Sequence, residues 1–259
     1  MSARLLTHLP AFFQLACAFG LSGLPVLYFG RRAWPSFRGQ LLNLAGFFGY
    51  HFCLFMAFRL APPVLANLLN YLWPVFLVAL TPVILPGKRL APAQIIGALS
   101  AFVGVAFLFL REDFPTAPQV LVGLALALSA AFLWPLYSLL KARLAQEPVS
   151  TLASSCLISG VLCLLCHLWL EAPPQEITGA DLALLLWMGV GPFGAAFYLW
   201  DYAIRRGDQR LIGAFTYLTP VLSTLLLIFG AGVPGSGAIA FALILMSAGS
   251  VLGTLGRRR

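Results

Sequence analysis

Charged residues are scarce in this chain. Asp, Glu, Lys and Arg make up 9% of its 259 residues, where a soluble domain carries about a quarter. A soluble globular fold is excluded on that count alone. Acid is scarcer than base, with 8 Asp and Glu against 16 Lys and Arg. Cysteine supplies no framework either: Cys17, Cys53, Cys156, Cys163 and Cys166 all lie in apolar runs, where thiols pack as small apolar groups. No G-x-S-x-G, H-E-x-x-H, P-loop or pair of embedded aspartates occurs, so the reading is of a protein without a catalytic constellation. The first apolar run follows a single arginine and precedes Arg31 and Arg32, which reads as a retained span and not as a cleaved leader.

What is abundant is apolar length. Hydrophobic residues reach 61%, and nine runs stand out: 11–30, 40–58, 62–86, 92–110, 119–140, 151–170, 182–204, 211–230 and 236–255. Each is near the 20 or so residues that cross a bilayer. In lipid every span must pair its own backbone groups, so the expectation is helices, in one all-α polytopic membrane domain with lipid as its solvent. Alternating the spans puts 13 of the 16 basic residues on one side, leaving Arg4, Arg59 and Arg111 with Glu112, Asp113, Glu171, Glu176 and Asp181 on the other. By the positive-inside rule the basic side is cytoplasmic, with the C-terminus inside and Met1 outside. The net charge of +8 therefore reports topology, and no nucleic acid is expected as a partner.

The chain repeats itself. An offset of 146 pairs Phe47 with Phe193, Ala57 with Ala203, Arg59 with Arg205, Tyr71 with Tyr217, Leu72 with Leu218, Pro74 with Pro220 and Val75 with Val221. The paired spans are an odd number apart and so cross in opposite senses, the inverted repeat that many secondary transporters use to build a midplane site. The first repeat is expected over 1–114 with four helices and the second over 115–259 with five. The partner of span 119–140 would precede residue 11, so the expectation is a ten-helix ancestor or a start further upstream.

Candidate functional residues follow from polar groups at depth. Asn67, Asn70, Tyr71 and Pro74 recur at helical spacing in ANLLNYLWPVFL, and Gly213, Thr216, Tyr217 and Pro220 repeat the pattern. Such groups are costly in lipid unless they face a partner or water, so two matching stripes point to a pathway. Pro74 and Pro220 each free a carbonyl one turn earlier and mark hinge positions. Tyr50 and His51 lie mid-span, Trp73 flanks the Asn70 face, and Trp134 and Tyr137 form an aromatic group beside Pro135. Asp201 alone among the acids lies inside a span, with Arg205 one turn on, which reads as an i,i+4 ion pair. Without a midplane carboxylate a metal or multivalent cation is a poor substrate. Aromatic faces with a few amides and an imidazole suit a neutral or zwitterionic molecule with a flat apolar part. Cys163-Leu-Leu-Cys166-His167 matches the c-type haem pattern, but it is embedded in a continuous apolar run, and no cofactor is expected.

The repeated YLWPVFLVALTPVIL and YLTPVLSTLLLIFG, each followed by a glycine-bearing last helix (IIGALSAFVGVAFL and ILMSAGSVLGTL), resemble the EamA family of the drug/metabolite transporter superfamily. The tracts GYHFCLFMAFRLAPPVLANLLNYLWPVF and SAAFLWPLYSLL look like the YddG-type aromatic amino acid exporters of bacterial inner membranes. The resemblance implies a ten-helix fold with a central cavity lined by Tyr50, His51, Tyr71, Trp73 and Trp134, of which nine helices are expected here. It implies export of aromatic amino acids; the inverted repeat points to alternating access, and without an embedded acid facilitated diffusion is expected, with proton antiport through His51 as the alternative coupling. Export of other amino acids or flat organic cations is the alternative substrate reading, and a membrane haem protein the alternative class. The sequence sets no oligomeric state.

Overall fold

The computed structural model describes residues 8–30, 34–87, 117–144 and 147–207, with isolated positions between 90 and 103 and at 212, 215 and 222. Among the described residues every regular element is helical. Five runs are long and apolar enough to cross a membrane: Ala11–Phe29, Phe37–Leu60, Pro118–Arg143, Val149–Leu170 and Gly179–Arg206. They match five of the expected spans within a few residues. The spans expected at 92–110, 211–230 and 236–255 lie mostly or wholly outside the described residues.

In chain order α1 is Ala11–Gly23, α2 Val26–Phe29, α3 Phe37–Leu44, α4 Tyr50–Leu60, α5 Pro63–Asn70, α6 Trp73–Ile84, α7 Pro118–Arg143, α8 Val149–Leu170, α9 Gly179–Val190 and α10 Ala196–Arg206. A π-helical segment, Ala45–Gly49, joins α3 to α4, and a second, Gly191–Ala195, joins α9 to α10. α1 packs along α8, while α7 is the central helix against which α4, α5, α6 and α10 lie. Lipid tails give helices little reason to associate, so close backbone packing must do it. A Cβ on Gly160 of α8 would stand 3.0 Å from the Gly20 nitrogen and 3.2 Å from the Ala16 oxygen of α1.

Polar groups gather at two opposite ends. At one, the Glu171 carboxylate after α8 accepts from the backbone N–H of Phe12, 3.0 Å to each oxygen, and of Phe13 at 3.3 Å. These are donors that a helix start leaves open, and the anion meets the positive end of the α1 dipole. His167 holds the same carboxylate at 3.0 Å, Arg59 donates to the Leu170 carbonyl at 2.9 Å, and His8 meets Asp181 at 3.1 Å. Asp181 also closes a capping box on α9, accepting from the Thr178 N–H at 2.8 Å while its own N–H donates to Thr178 Oγ1 at 3.3 Å. At the other end Arg205 donates to the Glu147 carbonyl at 2.9 Å, and the Thr151 hydroxyl donates to the Glu147 carboxylate at 3.3 Å. Helix α3–α4 thus runs from the Glu147 end to the Glu171 end, and α9–α10 runs back.

The stretch 62–86 differs from the single helix expected. It divides at Tyr71 and Leu72 into α5 and α6. Pro74 has no N–H for the Asn70 carbonyl and its ring crowds that carbonyl. The chain turns instead, with the Leu72 N–H donating to the Leu69 carbonyl at 3.0 Å. Asn67, Asn70, Tyr71 and Pro74 therefore do not form one continuous helical stripe.

Candidate functional site

The two π-helical segments position the site. Each inserts one residue into its helix, so carbonyls lose their regular partners and the wall steps sideways. In the first, Gly46 is required for close packing, since a Cβ there would stand 2.3 Å from the Tyr137 ring of α7. The Phe47 carbonyl is taken by His51 Nδ1 at 2.6 Å. In the second, Pro192 removes an N–H outright, and the Phe193 carbonyl accepts from Ser22 Oγ of α1 at 2.6 Å.

Between these two bent helices, near the middle of both, lies a cavity of about 510 Å³. It is lined by Tyr50 and His51 of α4, Trp73 of α6, Trp134 of α7, Pro192 and Phe193 of the second π segment, and Ala196, Phe197 and Trp200 of α10. The rings form a continuous network. Trp134 lies 5.4 Å from Tyr50, 5.7 Å from Phe197 and 5.8 Å from Trp200, and Trp200 meets Trp73 edge-on at 5.8 Å. His51 stands edge-on to Tyr50 at 4.7 Å and 5.2 Å from Phe193. Ring faces and edges at such distances are the surfaces an aromatic guest packs against.

The hydroxyl and the imidazole of this wall stand side by side on α4. Asn70 donates through Nδ2 to the Tyr50 hydroxyl at 3.1 Å, which leaves the phenolic proton free to donate. The carboxamide oxygen of Asn70 is buried without a partner among the described residues. A carbonyl oxygen only accepts, so His51 Nδ1 carries its proton toward Phe47 and a neutral ring presents Nε2 as an acceptor. The imidazole thus both satisfies a backbone carbonyl and lines the cavity.

Of the residues expected at the site, Tyr50, His51, Trp73 and Trp134 line the cavity, and Asn70 stands behind Tyr50. Tyr71 packs with Leu72, Val78 and Ala131. Asn67 lies half-buried on α5. Pro74 is buried in the first turn of α6. Tyr137 is 1% exposed and sits behind Trp134, 5.4 Å away, away from the cavity. Thr216, Tyr217 and Pro220 lie outside the described residues. Sequence reasoning missed Pro192, Phe193, Ala196, Phe197 and Trp200. The repeat contained the signal, because adding 146 to Tyr50 and His51 gives Ala196 and Phe197.

The haem pattern is absorbed by the fold. Cys163 is fully buried, α8 continues unbroken past it to Leu170, and His167 is engaged by Glu171. The expected Asp201–Arg205 ion pair is present. A further partner of Asp201 was hidden: Lys141, counted from sequence as an interfacial cation, is 1% exposed with Nζ 3.7 Å from Asp201 Oδ1.

Residues 121–255 match the EamA-like transporter family. The chain is 40% identical over 239 residues to a protein of Ancylobacter novellus named aromatic amino acid exporter YddG, covering 92% of this chain and 80% of that one. Proteins of the same name from Salmonella typhimurium and Escherichia coli are each 25% identical, covering 94% of this chain and 87% of theirs. A solved crystal structure superposes with a TM-score of 0.82 at 37% identity, over 95% of this chain and 88% of the other. The all-helical fold, the bent helices around a mid-span cavity and these likenesses converge: the chain belongs to the EamA-like transporter family.

Proposed function

We propose that this chain exports aromatic amino acids across a bacterial inner membrane by alternating access. The observation that carries the reading is the divided wall of the cavity. Trp73, Trp134, Phe193, Phe197 and Trp200 supply ring surfaces, while Tyr50 and His51 supply one free donor and one free acceptor on the same side. A zwitterion with an aromatic side chain needs that combination: the ammonium donates to His51 Nε2, the carboxylate accepts from the Tyr50 hydroxyl, and the ring lies among the indoles. The exporter name carried by relatives at 40% and 25% identity supports the same substrate class.

In this reading the Glu147 end faces the cytoplasm, because the basic residues gather on that side. Repeats 1–114 and 115–259 rock about the cavity, with Pro74 and Pro220 as hinges. Asn67, Tyr71, Tyr137, Thr216 and Tyr217 belong to the path on either side. The substrate biases the inward and outward states only through its differential affinity for them. No carboxylate lines the cavity among the described residues, which favours facilitated export down the amino acid gradient.

Counterflow in proteoliposomes tests this. Internal unlabelled phenylalanine or tryptophan should accelerate uptake of labelled tryptophan, and threonine or a quaternary cation should not. Equal stimulation by all four, or by none, would overturn the assignment. A counterflow rate indifferent to an imposed pH gradient is expected; dependence on that gradient would reinstate proton coupling.

A further inference from the structure

Toward the Glu147 end, directly behind the cavity wall, a second set of polar side chains has no task in the reading above. Lys141 of α7 and Asp201 of α10 are 1% and 4% exposed, with Nζ 3.7 Å from Oδ1, beyond hydrogen-bond distance. Lys141 donates to Asn43 Oδ1 at 3.1 Å, and Asp201 is held through its other oxygen by Arg205. Asn43 in turn donates to the Thr151 carbonyl and to Ser155 Oγ. An ammonium has three donors, and Asn43 occupies one. Among the described residues Asp201 Oδ1 has no hydrogen-bond partner, nor has the hydroxyl of neighbouring Tyr137. Buried charges this incompletely satisfied are a poor way to stabilise a fold, and such groups call for another explanation.

Their position supplies one. Tyr137 lies one turn beyond Trp134 on α7, and Asp201 follows Trp200 on α10; both tryptophans are walls of the cavity. Local charge balances, two cations (Lys141, Arg205) against two anions (Asp201, Glu147), but the pairing is uneven: Arg205 holds Asp201, the nearby Glu147 carboxylate is engaged by Thr151, and among the described residues Lys141 has only a neutral amide at hydrogen-bond distance. The unmet demand is for an anion at Nζ and a donor at Asp201 Oδ1.

We propose that Lys141 and Asp201 form a second headgroup site, sealed in this conformation, that receives the substrate zwitterion from the Glu147 side before its ring enters the aromatic cavity. The carboxylate takes Lys141 Nζ and the Tyr137 hydroxyl, and the ammonium takes Asp201 Oδ1. A zwitterion replaces one long contact with two direct charge-assisted bonds, whereas an amine or an acid alone offers half of that exchange. The site rests on the exporter reading and adds to it a selection for free amino acids on the loading side.

Inside-out vesicles carrying the full chain expose the Glu147 side. Tryptophan uptake is measured there against tryptamine, which lacks the carboxylate, and indole-3-propionate, which lacks the ammonium. Lys141→Met should raise the tryptophan KM from this side about tenfold or more, weaken competition by indole-3-propionate while leaving competition by tryptamine near that of the parent, and leave the KM from the opposite side unchanged. Lys141→Arg should restore both. Tyr137→Phe, which removes only the unpartnered hydroxyl, should weaken the carboxylate preference in the same direction, and it decides the matter if Lys141→Met does not fold. Variants that keep the competitor order of the parent, or that shift all competitors alike, would reduce the cluster to a structural latch and overturn the proposal. Parent vesicles that take up no tryptophan would sink the exporter reading and this site with it; uptake by the parent with unaltered discrimination in the variants would sink this site alone.

Discussion

Adding 146 to each position of the π-helical segment Ala45–Gly49 gives Gly191–Ala195, the other π-helical segment, and the helices that carry them run in opposite directions between the Glu147 and Glu171 ends. The same register positions reach the cavity from both: Tyr50 and His51 on one helix, Ala196 and Phe197 on the other. Even the two displaced carbonyls correspond. Phe47 gives its carbonyl to His51 and Phe193 gives its own to Ser22, each at 2.6 Å. The backbone device is duplicated while the side chains have diverged. One helix carries the hydroxyl and the imidazole, and the other carries methyl and phenyl groups. The bend makes the space, and the asymmetry of the side chains gives the space a polar end and an apolar end.

The largest effect is expected where the first bend meets α7. A Cβ on Gly46 would stand 2.3 to 2.7 Å from Tyr137 ring atoms, whereas one on Gly191, in the opposite segment, meets only the Trp187 ring at 3.7 Å or beyond. Tyr137 is fully packed, with Phe47 at 5.4 Å on one side and Trp134 at 5.4 Å on the other, so it has little room to yield. Gly46→Ala should cost about 1–3 kcal/mol or more through overpacking, read as a lower thermal midpoint and folded yield in detergent. Gly191→Ala should cost little. Equal midpoints for the two variants would show that the bends are not packed as differently as the distances require.

His51→Phe converts the first helix to the chemistry of the second. It removes the side-chain donor to the Phe47 carbonyl, which the Tyr50 N–H also reaches, at a cost of about 0.5–1.5 kcal/mol, and it removes the acceptor assigned to the substrate ammonium. Stability and tryptophan counterflow should both fall. Ser22→Ala removes the hydroxyl donor to the Phe193 carbonyl, a backbone group, and leaves every cavity-lining side chain in place, so stability should fall to a similar or lesser degree while the KM for tryptophan stays near that of the parent. If Ser22→Ala damages counterflow as severely as His51→Phe, the imidazole acts only as a backbone plug.

Much of this arrangement was legible in the sequence. Apolar length gave the five spans that the described residues contain, basic residues separated the two ends, and the Asp201–Arg205 spacing gave an ion pair that the fold contains. Tyr50, His51, Trp73 and Trp134 stood out because polar and aromatic groups in a run of aliphatics are expensive without a chamber to face. The π segments were not legible, since one inserted residue changes the hydrogen-bonding pattern without changing the hydrophobic periodicity. The division of 62–86 at Tyr71 was signalled by Pro74, but proline in a membrane helix permits either a kink or a break. Lys141 misled because a lysine at a span end commonly extends its ammonium to the interface. Here it turns inward to Asn43, a buried residue whose counterpart 146 positions on is Gly189. The second helix therefore offers no equivalent partner.

The smallest and most selective effect is expected at Tyr50, whose counterpart Ala196 has no polar group. Tyr50→Phe keeps the ring that packs 5.4 Å from Trp134 and removes one oxygen. Two consequences follow from that oxygen. The Asn70 amide loses its acceptor while its own oxygen has no partner among the described residues, so the buried amide keeps no partner among them. The substrate carboxylate loses a donor. One neutral donor to a charged acceptor contributes about 1.5–3 kcal/mol, and Asn70 Nδ2, freed to turn and donate in its place, recovers most of that, leaving a net loss of about 1 kcal/mol or less. A rise of a few-fold in the KM for tryptophan with kcat nearly unchanged is the signature of an interaction made equally in ground and transition states. Tryptamine, which has no carboxylate, should compete as well against the variant as against the parent. If tryptamine and tryptophan lose affinity together, the Tyr50 hydroxyl only braces Asn70, and the polar end of the cavity must be assigned to His51 alone.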